Sequence, residues 1–336
     1  MAFLNTSNQK GVITNKRKFW FLTRLKVNIR KWTDFFNLPI ANVWETKTSQ
    51  KYDLIHCAHC LSKNNDRPWV ADMESLWSMW VSGMNTTIGK SRVRRILESN
   101  NCKKIMPWTQ KTEKEIINYF PEIKDKLEII YPAVQEQTIV KKNNAGAFTV
   151  TFIGRDFRLK GGKIALATMK KIKKRVPNSR MIFISSLPKE IDLKKYKEIE
   201  LYDLISNDEV KTILSQTDIF LYPSLMDTFG FTILEAMSFG VPTVALKTKL
   251  TGAIDEIISD GVTGFVLPTR CTIDNQSSNE VEKTSNLLSK KIIFVAKNKK
   301  LREKMSNACM YEIKNGKFSI KERNKKLQRI YREALK

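Results

Sequence analysis

The chain has 336 residues, 42% hydrophobic and 28% charged, a globular composition that excludes a disordered or fibrous chain and suits two domains. Lys and Arg total 59 against 34 Asp and Glu, and a formal net charge of +25 points to an anionic partner: nucleic acid, an acidic lipid surface or a phosphorylated substrate. No apolar run reaches about 18 residues, which predicts no transmembrane helix, and Met1-Ala-Phe-Leu-Asn-Thr-Ser7 lacks the order of a signal peptide, so cytoplasmic residence is expected.

In chain order, residues 10–32 come first. They hold Lys10, Lys16, Arg17, Lys18, Arg24, Lys26, Arg30 and Lys31, with no acid before Asp34. Leu22, Leu25, Ile29, Trp32 and Phe36 recur at helical spacing, which predicts an amphipathic helix. Its apolar stripe suits packing on a sheet, and its cationic face suits an anionic membrane. Tyr52-Asp-Leu-Ile-His56 reads as a buried strand, followed by a loop from Cys57 to Arg67. That loop opens on Cys57-Ala-His-Cys60. Cys102, Cys271 and Cys309 stand apart from it, so a reduced, partly buried pair is favoured over a metal or redox site. Pro68–Asp72 predicts the next strand, residues 90–99 a helix, and Lys104–Met106 a short strand. Thr112-x-x-Glu115 predicts a capping box, and Leu127–Tyr131 a further strand. The alternation implies a parallel sheet.

Residues 134–147 are polar and read as an interdomain linker, after which a second α/β series begins. Phe148–Ile153 predicts a strand, Gly154–Gly161 a loop, Gly162–Val176 a helix and Met181–Ile184 a strand. Ser206-x-x-Glu209 predicts a second capping box. Ile219–Tyr222, the loop after it, a helix opened by Gly230 and the strand Thr243-Val-Ala-Leu246 form a βαβ unit. Residues 253–258 form a short helix, Gly264–Leu267 a strand, and residues 280–313 are helical. A last helix starts at Ser319-x-x-Glu322, with Ile320, Leu327, Ile330 and Ala334 on one face.

Two loops carry the chemistry. Gly154–Gly161 joins a strand to a helix and holds Arg155, Arg158 and Lys160. Glycines admit a ligand to the backbone, a helix start offers N–H donors, and Arg and Lys grip phosphate, so a diphosphate would suit it. It matches neither the nucleotide P-loop nor the dinucleotide fingerprint. In the βαβ unit, Asp227 falls on the loop and Glu235 in the helix, eight positions apart. Each carboxylate could take a hydroxyl of a polyhydroxy ligand, or be an ordinary surface acid.

The order of these features is more specific than either alone. Ile153-Gly-Arg155, Lys160-Gly161, then Tyr222-Pro-Ser224, Asp227-x-Phe-Gly230, Leu234-Glu-Ala-Met237, Gly240-x-Pro242 and Asp260-Gly-x-Thr-Gly-Phe265 resemble glycosyltransferase family 4, of the "group 1" type. The resemblance is dense over residues 148–268 and continues more thinly through Tyr52–His56, Pro68–Asp72 and Ile129–Pro132.

The resemblance implies an α/β GT-B fold, two Rossmann-like domains facing across a cleft. Here the N-terminal one would be short, since only 52 residues precede Asp53 and no Gly-rich loop follows Gly11-Val-Ile-Thr14. The expected domains are 1–138 (acceptor side), a linker 139–147, 148–318 (nucleotide-sugar side) and a C-terminal helix 319–336 crossing back. The implied activity is retaining transfer of a sugar from a nucleoside-diphosphate-sugar to an acceptor hydroxyl, with a lipid-linked or membrane-proximal glycan among the acceptors. No metal or other cofactor is implied. The family's roles carry over to Gly154, Arg155 and Lys160 at the diphosphate, Glu235 at the ribose, the Phe229-Gly230 backbone at sugar or phosphate, and Asp227 at the transferred sugar. At that last position the family has Glu, so the carboxylate here reaches one methylene less far. His56 and His59 are both candidates for the catalytic histidine of the N-terminal domain. The charge suggests a peripheral position on the cytoplasmic membrane face; no nucleic-acid motif accompanies it. The alternative is a degenerate GT-B protein that binds nucleotide-sugar, or serves as a partner subunit, without turnover.

Overall fold

The computed structural model describes residues 32–47, 51–64, 66–137 and 147–336. The helix expected over residues 10–32 (Trp32 apart), the stretch Gly11–Thr14 and most of the linker 139–147 lie outside the described residues. The chain divides into two compact units, residues 1–130 with 326–336, and residues 131–325.

In the first unit, β1 (Ile55–Ala58), β2 (Trp69–Met73) and β3 (Cys102–Pro107) form a parallel sheet in that order. All of β2 is buried. Strand alternation sends its side chains to two cores. Trp69, Ala71 and Met73 join Val93 and Leu97 of α1 (Thr87–Glu98) and Ile116 of α2 (Gln110–Tyr119). Val70 faces the other way and packs with Met106, Leu327, Ile330 and Ala334. The last three lie on α9 (Ile320–Ala334), so the far end of the chain covers a sheet built near its start. Ile320, expected on the same stripe, is 42% exposed and belongs to the other unit.

In the second unit, the strands are β4 (Phe148–Asp156), β5 (Ser179–Ser186), β6 (Glu200–Tyr202), β7 (Ile219–Tyr222), β8 (Thr243–Lys247) and β9 (Gly264–Pro268). Their order is β6-β5-β4-β7-β8-β9, and every pairing is parallel. The order reverses between β4 and β7, a switch point where loops at the carboxyl ends of the strands diverge and leave room for a ligand. The helices here are α3 (Gly162–Arg175), α4 (Asn207–Gln216), α5 (Phe231–Ser238), α6 (Ile254–Ile257), α7 (Ser278–Lys297) and α8 (Lys299–Lys314). Phe152 of β4 and Phe183 of β5 stack at 4.5 Å within the core.

Several local expectations change. Thr112 does not cap α2. Thr109 does, accepting from Thr112 N at 3.0 Å, while the Thr112 hydroxyl donates to Glu74 O at 3.0 Å. Residues 127–131 run beside β3 through Glu128 N to Ile105 O at 3.1 Å and Ile130 N to Pro107 O at 3.0 Å, but form only an isolated bridge. The first strand begins at Ile55 and includes Cys57, so His56 sits inside it. The Ser206 box forms as the spacing predicts. No described helix is long and apolar enough to cross a membrane.

Gly161 fixes how the loops at the switch point pack. Its φ is +72°, and a Cβ there would run into the Pro223 carbonyl. Gly161→Ala is expected to lower stability by about 2–3 kcal/mol, read as a drop in the denaturant midpoint.

Candidate functional site

Three loops of the second unit meet at the carboxyl ends of β4, β7 and β8. Leu225 N donates to Leu159 O at 2.9 Å, and Leu225 O accepts from the Thr248 hydroxyl at 2.9 Å. Asp227 N donates to Leu250 O at 3.1 Å, and its own carbonyl accepts from Gly252 N at 3.2 Å. These bonds seat Asp227 from both sides.

The Asp227 carboxylate is the hub. Oδ2 accepts from Lys160 Nζ and from the Tyr222 hydroxyl, and Oδ1 accepts from Phe229 N at 3.3 Å. Lys160 also donates to Met226 O at 3.3 Å. An ammonium has three donors, so one remains for a ligand. Tyr222 is only 2% exposed. Burial first, and then the Asp227 charge, push its phenol well above the usual range, so it stays protonated and donates. Its hydroxyl role has no signal in the sequence, where Tyr222 reads as the end of an apolar strand.

Gly154 lets the Lys160 stem pass. A Cβ there would lie 2.7 Å from both Lys160 Cβ and the Phe152 ring. Arg155 is at the end of β4 rather than in the loop, and its carbonyl accepts from the Ser186 hydroxyl at 2.7 Å. Its guanidinium is exposed and has no ion-pair partner among the described residues. Arg158 turns aside, donating to Ile273 O at 3.2 Å and pairing with Asp274 at 3.7 Å.

The helices that open beside this hub, α3 and α5, begin at Gly161 and Gly230, both left-handed, and neither has a side-chain cap. By contrast Thr86, Thr109, Ser206, Ser277 and Asn298 cap α1, α2, α4, α7 and α8 with their side chains. Uncapped starts present N–H groups and the positive end of the helix dipole, which suit an anion. Glu235 lies on α5, its side chain partly exposed. Desolvation raises its pKa, and the opposing pull of Lys211 is weaker.

The two histidines belong to the first unit and differ in commitment. His56 Nδ1 is 2.6 Å from the Tyr331 hydroxyl of α9, and Nε2 is 3.2 Å from Asp72 Oδ2. Nδ1 is thus committed to Tyr331, 275 residues away and not to be inferred from local sequence, while Nε2 lies beside the Asp72 carboxylate without a hydrogen bond. His59 has φ 57°, donates its N–H to Asp72 O at 3.1 Å, and packs its ring against Trp108 at 4.7 Å. Its Nδ1 is buried without a hydrogen-bond partner.

Comparison with known proteins bears on the second unit above all. Residues 147–304 match the family model "Glycosyl transferases group 1". That segment belongs to the group 1 glycosyl transferases. Over 213 residues the chain is 25% identical to the phosphatidylinositol N-acetylglucosaminyltransferase GPI3 subunit of Saccharomyces cerevisiae, covering 61% of this chain and 46% of that one. The chain thus spans about half the length of this curated relative. A glycosyltransferase structure from Rickettsia africae aligns with TM-score 0.61 and 14% identity, over 98% of this chain and 84% of that one. Anabaena Alr3699/HepE in complex with UDP aligns with TM-score 0.59 and 14% identity, over 92% and 82%. The fold is GT-B.

Because the folded-state pKa of Glu235 is raised, the folded chain holds that proton more tightly than the unfolded one. The protonated carboxyl therefore contributes stability below the ordinary value of 4.5, and that contribution is lost as pH rises through the folded value. Solvent screening keeps the effect small. Glu235→Gln is expected to raise the melting temperature by about 1–2 °C at neutral pH, the gain vanishing below the ordinary carboxylate range. Thermal melts across pH check both the sign and the window.

Proposed function

We propose that this chain is a retaining, metal-independent glycosyltransferase that moves a sugar from a nucleoside-diphosphate-sugar to an acceptor hydroxyl. The observation that carries the reading is the grouping of Lys160 and two uncapped helix starts around one carboxylate. In the reaction, the bond between the anomeric carbon and the phosphate oxygen breaks, and its electrons go to the diphosphate. The acceptor oxygen attacks from the same face, and its proton passes to the leaving phosphate. Lys160, Arg155 and the helix N–H groups stabilise the charge that develops. Asp227 takes a hydroxyl of the transferred sugar. Held by Lys160 and Tyr222, it reaches one methylene less far than a Glu would, which bears on the choice of sugar. Glu235 takes the ribose hydroxyls, and the Phe229-Gly230 backbone contacts sugar or phosphate. In the first unit, His59 is the histidine we assign to substrate, since among the described residues neither of its ring nitrogens is tied to another element by a hydrogen bond, whereas His56 Nδ1 fastens α9 through Tyr331.

The domain scheme we favour keeps an acceptor-side N-terminal domain and a donor-side C-terminal one. UDP in the HepE structure makes UDP-sugars the first donors to try. The name of the yeast relative favours a lipid-linked acceptor, and a surface feature supports a peripheral place on the cytoplasmic membrane face. Trp32, Phe35 and Phe36 are 65%, 83% and 57% exposed and touch one another, with ring centroids 5.7 and 5.1 Å apart. Arg92 Nη1 reaches the adjoining Pro39 O at 2.7 Å, and Ile88, Ser91, Arg92 and Arg95 line the outward face of α1. Exposed aromatics beside arginines suit the interface of an anionic bilayer.

One observation favours a second reading. Lys160 and Asp227 neutralise each other, as they would in a nucleotide-sugar binder or partner subunit without turnover. Thermal shift with UDP, GDP and ADP sugars, followed by hydrolysis and transfer assays, separates the two: binding without product selects the second. For the enzyme, Lys160→Ala and Glu235→Ala are each expected to lower kcat/KM by about 100-fold or more, and wild-type rates in both would refute the site. Sedimentation is expected to bring the protein down with phosphatidylglycerol vesicles and not with phosphatidylcholine vesicles; equal binding to both would sink the membrane reading.

A further inference from the structure

The Cys57-Ala-His-Cys60 turn is left unused by the proposed function. Cys57 lies on the buried side of β1, and Ala58 ends the strand. His59 then enters the left-handed region, and the chain folds back so that Leu61–Ser62 can pair with Val43–Trp44. The turn is held from outside its own sequence. Asp72 O accepts the His59 N–H at 3.1 Å, and Asn42 Nδ2 donates to His59 O at 2.7 Å.

This shape brings the two cysteines together. Cys57 and Cys60 flank the left-handed His59 turn, and both pack on the core that contains Cys102. Cys57 is buried and Cys60 half-buried. Their pairing acts oppositely on the two sulfurs: with burial added it holds Cys57 in the thiol form, and it lowers the pKa of Cys60. Cys102 is pushed up to about 12 by burial, which leaves it inert. A structural zinc needs four ligands, and among the described residues no group of three or more His, Cys, Asp or Glu is arranged to hold a metal.

We propose that Cys57 and Cys60 are a redox pair that closes to a disulfide by exchange with a low-molecular-weight disulfide such as glutathione disulfide, locking the turn that carries His59. The half-buried Cys60 thiolate attacks one sulfur of glutathione disulfide. That bond breaks, and one glutathione leaves as thiolate and takes a proton. Cys57 then gives up its proton and attacks Cys60 Sγ, and the second glutathione leaves. The protein loses two electrons and two protons, and glutathione disulfide gains both. The ring so formed contains His59, whose side chain rests on Trp108. The inference concerns the first unit alone and stands whether or not the chain transfers sugars.

The full-length protein, incubated with glutathione disulfide, is denatured and its thiols alkylated and mapped. Alkylatable thiols are expected to fall from five to three, with Cys57 joined to Cys60. Cys102→Ser should show the same loss of two. Cys60→Ser, at a half-buried position that tolerates the change, should show no internal bond. Amide exchange at His59 should slow by about tenfold or more on oxidation, since the ring closes off its local opening. Five thiols that stay alkylatable, a stable glutathione adduct on Cys60, or a bond from Cys57 to Cys102 would each overturn the pair. Unchanged exchange at His59 would overturn the locking.

Discussion

The second unit depends on one carboxylate. Asp227 takes donors from Lys160 on the loop after β4, from Tyr222 at the end of β7, and from Phe229 N at the approach to α5. Those groups come from different parts of the chain, and the ion pair is largely sheltered, with side chains 26% and 17% exposed. Removing one partner of such a pair leaves the other charge in a poorly solvated place, which is why the arrangement holds as a unit. The shorter side chain of Asp, compared with Glu, is matched by a tyrosine hydroxyl that comes up to meet it.

Glycine makes this hub accessible. At Gly161 a side chain would collide with the Pro223 carbonyl, and at Gly154 it would meet the Lys160 stem. Gly161 also opens α3, as Gly230 opens α5, and neither helix has a side-chain cap. Helix starts are usually satisfied by Ser, Thr or Asn, as α1, α2, α4, α7 and α8 are. The four-residue α6 also starts without a side-chain cap, at Ala253, but only α3 and α5 open beside the Lys160–Asp227 pair.

The first unit is small, and it is completed from a distance. Three parallel strands bury both faces, and one of those faces has no cover until α9 arrives with Leu327, Ile330 and Ala334. Tyr331 on the same helix reaches His56, which also faces Asp72. That clip ties one ring nitrogen of His56 to α9, while His59 sits on a left-handed turn at the strand end with its ring against Trp108.

Periodicity, caps and motif order were enough to read the βαβ unit, the Ser206 box, the opening of α5 at Gly230 and the family itself, because each depends on neighbours within a few residues or on a fixed spacing along the chain. Local spacing failed where a competing partner came from elsewhere. Thr112 looked like a cap until its hydroxyl went to Glu74 O, and residues 127–131 looked like a strand until the sheet beside them stopped short of a full ladder. The sequence by itself thus determined the fold class, the two basic glycine-rich and acidic loops and their order. Only the tertiary structure decided that Lys160 and Tyr222 both donate to Asp227, that His56 is tied to Tyr331, and that Cys57 and Cys60 flank a left-handed turn on one core. Those contacts depend on where side chains end up in space, which spacing along a chain does not specify.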